Sequence, residues 1–176
     1  WSRDLPADFQ RRRGYDMTPW MPVLAGRIVA GRDASNRFLN DFRRTLAECI
    51  ADNHYAVFAA MARRHGIGIH PESGGPHAAP VDALLCLGRS DIPMGEFWAR
   101  NDRHRIADNL RLYVKQSSSA AHIYGLRINQ AEAFTTIGPH WERAPRDLKN
   151  ELDRVYCEGL NRVVWHTFTC SPPEMG

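Results

Sequence analysis

The chain has 176 residues, 43% of them apolar and 24% charged, with a formal net charge of +3. That length supports one substantial core and an ordinary globular composition. Charges of both signs are interspersed and Arg11-Arg12-Arg13 is the single tight basic cluster, which argues for a solvated surface and against a nucleic-acid partner. No apolar run approaches the roughly 20 residues of a membrane span.

In chain order, an opening strand is expected in the Arg13-Gly14-Tyr15-Asp16 stretch. Ser35 then caps a long helix in which Phe38, Phe42, Leu46 and Ile50 recur at helical spacing. A second helical segment, from about His54 to Arg64, carries Tyr55, Phe58 and Met61 on one face and stops at Gly66. From there short apolar runs alternate with helices. Strands are expected at Ile67–His70, Ile92–Glu96, Leu126–Ala131 and Val163–Phe168. Helices are expected at Val81–Leu87, from about His104 to His122, and from Pro145 onward. The loop Pro76–Pro80 separates the first strand from its helix.

Strand starts near 67, 92, 126 and 163 repeat at close to the ~30 residues of a βα unit. Near-continuous apolar strands suit a parallel sheet covered on both faces. Four or five consecutive units fit either part of a (β/α)8 TIM-type barrel or a doubly wound sheet. No glycine-rich phosphate loop follows any strand, which tilts the α/β reading to the barrel. The start at Trp1 and the loop-like Ser171–Gly176 suggest that residues 1–176 are a single segment of a larger protein.

The chemistry lies at the ends of the expected strands, where barrel enzymes build their sites. Glu72 sits in His70-Pro71-Glu72-Ser73-Gly74-Gly75-Pro76-His77, a turn rich in proline and glycine around two histidines. Glu132 is flanked by small and apolar residues, a setting that desolvates a carboxyl and favours a proton-carrying role. Glu96 precedes Phe97-Trp98, and a ring beside a carboxylate suits the apolar face of a sugar. His140-Trp141 and Trp165-His166 repeat that pairing of donor and ring, and Asp16 and Trp20 belong to the same class. Each has a plain structural alternative: a solvated turn, a buried ion pair with arginine, or a satisfied rim histidine.

His70, His77, His140 and His166 with nearby glutamates could build a metal site, but no HxH, HExxH or cysteine cluster is present. The four cysteines form no CxxC pair, and Cys49 and Cys157 fall on apolar helix faces as small core residues. No GxSxG nucleophile motif occurs, and Ser117-Ser118-Ser119 falls within a helix.

Five ordered motifs resemble one family. They are Arg13–Trp20, His70–His77, Asp91–Trp98, Ala131–Thr135 and Glu158–Arg162, and they are similar to the catalytic-domain signatures of glycoside hydrolase family 106, the α-L-rhamnosidases. The resemblance implies a (β/α)8 catalytic domain within a larger enzyme that also carries β-sandwich modules. It implies inverting hydrolysis of terminal α-L-rhamnosides by a glutamate acid–base pair, with a calcium ion that helps hold the sugar. Position and surroundings select Glu72 and Glu132 as the pair, taken as acid and base in that order with the reverse order left open. Asp16, Trp20, His70, His77, Glu96, Trp98, His140, Trp141 and His166 are then expected to bind substrate. The partner would be a rhamnose-containing glycoside or polysaccharide, a substrate class that favours an extracytoplasmic location. Two other readings stay open: a metal-dependent barrel hydrolase of amides or esters, and a non-catalytic carbohydrate-binding protein.

Overall fold

The computed structural model describes residues 2–72, 81–99, 113–135 and 143–166. Helix α1 (Leu5–Arg13) comes first, then a 3-10 turn at Thr18–Trp20 and the short α2 (Met21–Leu24). No strand forms at Arg13–Asp16. The helix runs on to Arg13, and Gly14 closes it with φ +83°, a left-handed backbone that glycine adopts without strain. Phe9, Met17, Val23 and Phe38 make an N-terminal core, with Tyr15 and Trp20 packed against it.

The two helices expected before Gly66 are one rod. Helix α3 (Arg32–Ile50) passes through a π-helical stretch, Ala51–Ala56, into α4 (Val57–Arg64). Gly31, not Ser35, precedes its first turn; Ser35 is buried one turn inside, its hydroxyl bonded to the backbone of Val29. Ala59 and Ala62 pack on Ile69, whereas Phe58 and Met61 are half-exposed, because small residues let the helix approach the chain closely.

The basic triplet near the N-terminus is largely internal pairing. Arg12 bridges Glu48 and Asp52, and Arg13 binds Thr45 and Glu48, which ties α1 to the long rod. Only Arg11 is mostly exposed, and it pairs with Asp8. Cys157 is exposed, contrary to its expected core position; Cys49 is partly buried and Cys86 fully. No helix among the described residues is long and apolar enough to cross a membrane.

After α5 (Ala83–Leu87), capped by the Asp82 side chain, the chain forms a parallel sheet. Its strands are β1 (Met94–Trp98), β2 (Gln130–Thr135) and β3 (Arg162–Trp165), in that order. Helices α6 (Tyr113–Tyr124) and α7 (Pro145–Cys157) lie in the two crossovers. Phe97, Ala131, Ala133 and Val163 pack against Val114 of α6 and Leu148, Leu152 and Val155 of α7. One sheet face is thereby covered by helices, and the opposite face carries the polar residues.

The strands begin later than the apolar runs do, for a specific reason. At Ile67–His70 the carboxylate of Asp91 accepts from Ile69 N at 2.8 Å, and Ile69 O accepts from the backbone of Asp91 and Ile92. A side chain thus substitutes for a ladder. The expected first strand shrinks to one parallel bridge, Glu72 to Met94. At Leu126–Asn129 the amide of Asn161 does the same work, accepting from Asn129 N and donating to Arg127 O, both at 2.9 Å. Pairing starts only at Gln130. Asn161→Ala is expected to lower stability by about 1–3 kcal/mol by orphaning these groups. A urea midpoint equal to that of the parent protein would show that the connector holds without it.

Candidate active site

Delayed strand starts change where the carboxylates stand. Glu96 and Glu132 lie within their strands and face each other in register, Glu96 opposite Glu132 and Glu132 opposite Val164. Paired residues of parallel strands share a face. Rows can therefore be read across the polar face: Glu72, Met94, Gln130 and Arg162 first, then Glu96, Glu132 and Val164, then Trp98 and Thr135. His166 shares the parity of Val164 and joins the same face. In the first row Arg162 donates to Gln130 Oε1 at 3.3 Å, and the Gln130 amide reaches the Met94 sulfur at 3.3 Å.

Glu72 is half-buried at the head of this face. Tyr55 holds its segment by donating to the Glu72 backbone carbonyl at 3.0 Å. Its Oε1 is buried with no hydrogen-bond partner among the described residues, and the same holds for Oε1 of Glu96. Burial pushes the Glu72 carboxyl up to about 7, helped by the negative charges of Glu132 and Glu96. A carboxyl in that range keeps a proton close to neutrality and can give it away.

Glu132 has the opposite kind of environment. Its Oε1 accepts a hydrogen bond from Thr135 Oγ1 at 3.2 Å, and His166 Nε2 lies 3.5 Å away. Trp98 stands one row beyond Glu96, half-buried, and offers a ring beside the carboxylates. Glu72, Glu96, Trp98, Glu132 and His166 are thus brought to one face, in three successive rows. Residues from four separate segments of the sequence become neighbours because the sheet is parallel.

Other expected site residues fall elsewhere or outside the described segments. Trp20 stacks on Phe38 (5.8 Å, 18°) in the helical N-terminal core. Asp16 is exposed and accepts from the backbone and hydroxyl of Thr18, which hold its carboxyl below the usual range. His70 is exposed next to the Asp91-bound segment. His77, His140 and Trp141 lie outside the described residues. Thr135 was not singled out by sequence. It lies beyond the expected strand Leu126–Ala131, and nothing local marks it as turned toward a carboxylate.

Calcium was expected from the resemblance alone. Among the described residues no group of three or more His, Cys, Asp or Glu side chains is arranged to hold a metal ion.

Comparison with known proteins gives the context for this face. The family described as alpha-L-rhamnosidase, glycoside hydrolase 106, matches residues 1–175. A Formosa agariphila protein named "Putative beta-glucuronidase" is 36% identical over 172 residues, covering 98% of this chain and 14% of that protein. The solved structure of a rhamnosidase from Novosphingobium sp. PP1Y is similar with a TM-score of 0.85 at 36% identity, over 96% of this chain and 16% of that one. The chain thus spans only about one seventh of the first relative's length and one sixth of the second's.

Proposed function

We propose a function for a chain that belongs to the glycoside hydrolase 106 family, the alpha-L-rhamnosidases: it supplies the acid–base face of an enzyme that cleaves terminal α-L-rhamnosides. Its three parallel strands are read as an arc of a (β/α)8 barrel, with the polar face turned to the barrel axis. The observation that carries the reading is the contrast between two glutamates on that face. Glu72 is a half-buried proton carrier with a buried, unpaired Oε1, and Glu132 is an acceptor held by Thr135.

The chemistry follows from that contrast. Glu72 gives its proton to the departing glycosidic oxygen as the bond to the anomeric carbon breaks. Glu132 takes a proton from a water that attacks the other face of the sugar. Both carboxyls recover when proton exchange with solvent restores Glu72. Such displacement inverts the anomeric centre and requires carboxyl groups about 6.5–9.5 Å apart to admit the water. Glu96 and Trp98 would contact the sugar, Glu96 at a hydroxyl and Trp98 at the apolar C6 methyl of a 6-deoxyhexose.

The glucuronidase name of one relative sets up a second substrate class. A uronic acid would bring its own carboxylate against Glu96 and Glu132, where like charges repel. A neutral deoxy sugar meets no such penalty. The test is hydrolysis by the intact protein of an α-L-rhamnoside and a β-D-glucuronide side by side, with the first-formed anomer followed by proton NMR. Rhamnose released first as the β anomer is expected. Release from the glucuronide alone would overturn the substrate, and first release of the α anomer would overturn inversion.

A further inference from the structure

Strand β2 breaks its own alternation at the site. Ala131 and Ala133 face the helices and Glu132 faces the polar side, so Phe134 should turn to the polar side as well. It does not. Phe134 has φ +63°, a left-handed backbone that a bulky residue adopts only under constraint. Its ring stays in the helix-side core, edge-on to Phe97 at 4.9 Å and tilted against Trp165 at 5.1 Å. The ladder records the extra residue: Phe97 pairs with Ala133, but Trp98 pairs with Thr135, and Phe134 is skipped. Ala99 N then donates to Thr135 O at 2.9 Å and fixes the resumed register.

One consequence is chemical. Without the bulge, Thr135 would share the parity of Ala131 and Ala133 and point into the helix-side core. With it, Thr135 joins Trp98 on the polar face, and its hydroxyl reaches Glu132 Oε1 at 3.2 Å. Bulges beside active sites commonly re-aim one side chain in this manner. The core-packed ring of Phe134 holds the strained backbone in place, so the hydroxyl is fixed before substrate arrives. We infer that Thr135 is a positioning residue for the base: the Phe134 bulge turns its hydroxyl onto Glu132 and so orients the carboxylate that activates the water.

This inference rests on the reading of Glu132 as the base. A hydroxyl that orients the base acts mainly in the transition state, so its loss should reduce kcat and leave KM in place. Valine at 135 keeps the shape and removes the donor, while serine keeps the donor and removes a methyl. In the intact protein, Thr135→Val is expected to lower kcat for an α-L-rhamnoside by about tenfold to a hundredfold, with KM within about twofold. Thr135→Ser should stay within about threefold of the parent kcat. Two results would overturn the assignment: parental kcat in Thr135→Val, or equal losses in both variants, the mark of a packing role. Glu132→Gln, measured alongside, separates the two failures. If Glu132→Gln is inactive while Thr135→Val is unaffected, the base stands and the positioning role falls. If Glu132→Gln keeps parental kcat, the base reading and the positioning role fall together.

Discussion

Glu72→Gln in the intact protein is expected to lower turnover of an alkyl α-L-rhamnoside by about 10²–10⁴-fold, the usual worth of a general acid. The loss should depend on the leaving group. An alkoxide leaves poorly without a proton, whereas a nitrophenolate leaves as a stable anion. Cleavage of a nitrophenyl rhamnoside should therefore be impaired far less than that of the alkyl glycoside. The pH profile supplies a second signature. An acid must be protonated to act, and burial together with the charges of Glu132 and Glu96 places Glu72 at about 7. Activity should then fall as pH rises through about 7, and that basic limb should vanish in Glu72→Gln. Glu96→Gln removes one of the repelling charges, so its basic limb should move to lower pH. Equal losses on both leaving groups, with the limb intact, would remove Glu72 from the acid role.

Glu132→Gln carries the second large effect. Glutamine presents similar shape to Thr135 and His166 but takes no proton from water, so turnover should drop by about 10²–10⁴-fold whatever the leaving group. That indifference to leaving group distinguishes it from Glu72→Gln. A small anionic nucleophile such as azide, which needs no base, should restore cleavage in Glu132→Gln when no water is activated, with a glycosyl azide as product. The same addition should do nothing for Glu72→Gln with the alkyl glycoside, because its leaving oxygen still lacks a proton. Restored cleavage in neither variant, together with parental turnover in Glu132→Gln, would move the base to another residue.

Much of this was legible in the residues. Apolar runs separated by helical periodicity gave the alternation, and Pro145 and Gly66 marked helix boundaries where the structure has them. Ile92–Glu96 and Leu126–Ala131 located two of the strands to within a few residues, and Val163–Phe168 located the third. The carboxylates stood out because glutamates on apolar segments are unusual, and Glu72, Glu96 and Glu132 do meet on one face. Trp20 was less legible. A ring after a Thr-Pro turn reads alike whether it meets a sugar or, as here, Phe38. Phe58 and Met61 misled for a related reason, since periodicity identifies an apolar stripe without saying that anything packs on it.

What the sequence by itself determined is the order of βα units, their parallel character and the set of acidic residues available to one sheet face. Those follow from spacing and residue type over a few neighbours. The tertiary structure alone decided where each strand starts and which way each side chain turns. Asp91 meets Ile69 across 22 positions, and Asn161 meets Arg127 and Asn129 across 34 and 32. Those side chains occupy backbone groups that the apolar pattern would have given to a ladder, and so move Glu96 and Glu132 into mid-strand. Phe134 then sets the parity of Thr135, because its ring packs on Phe97 and Trp165 and holds its backbone in the left-handed region. Local pattern places a residue on a strand; only packing from distant elements decides the face it serves.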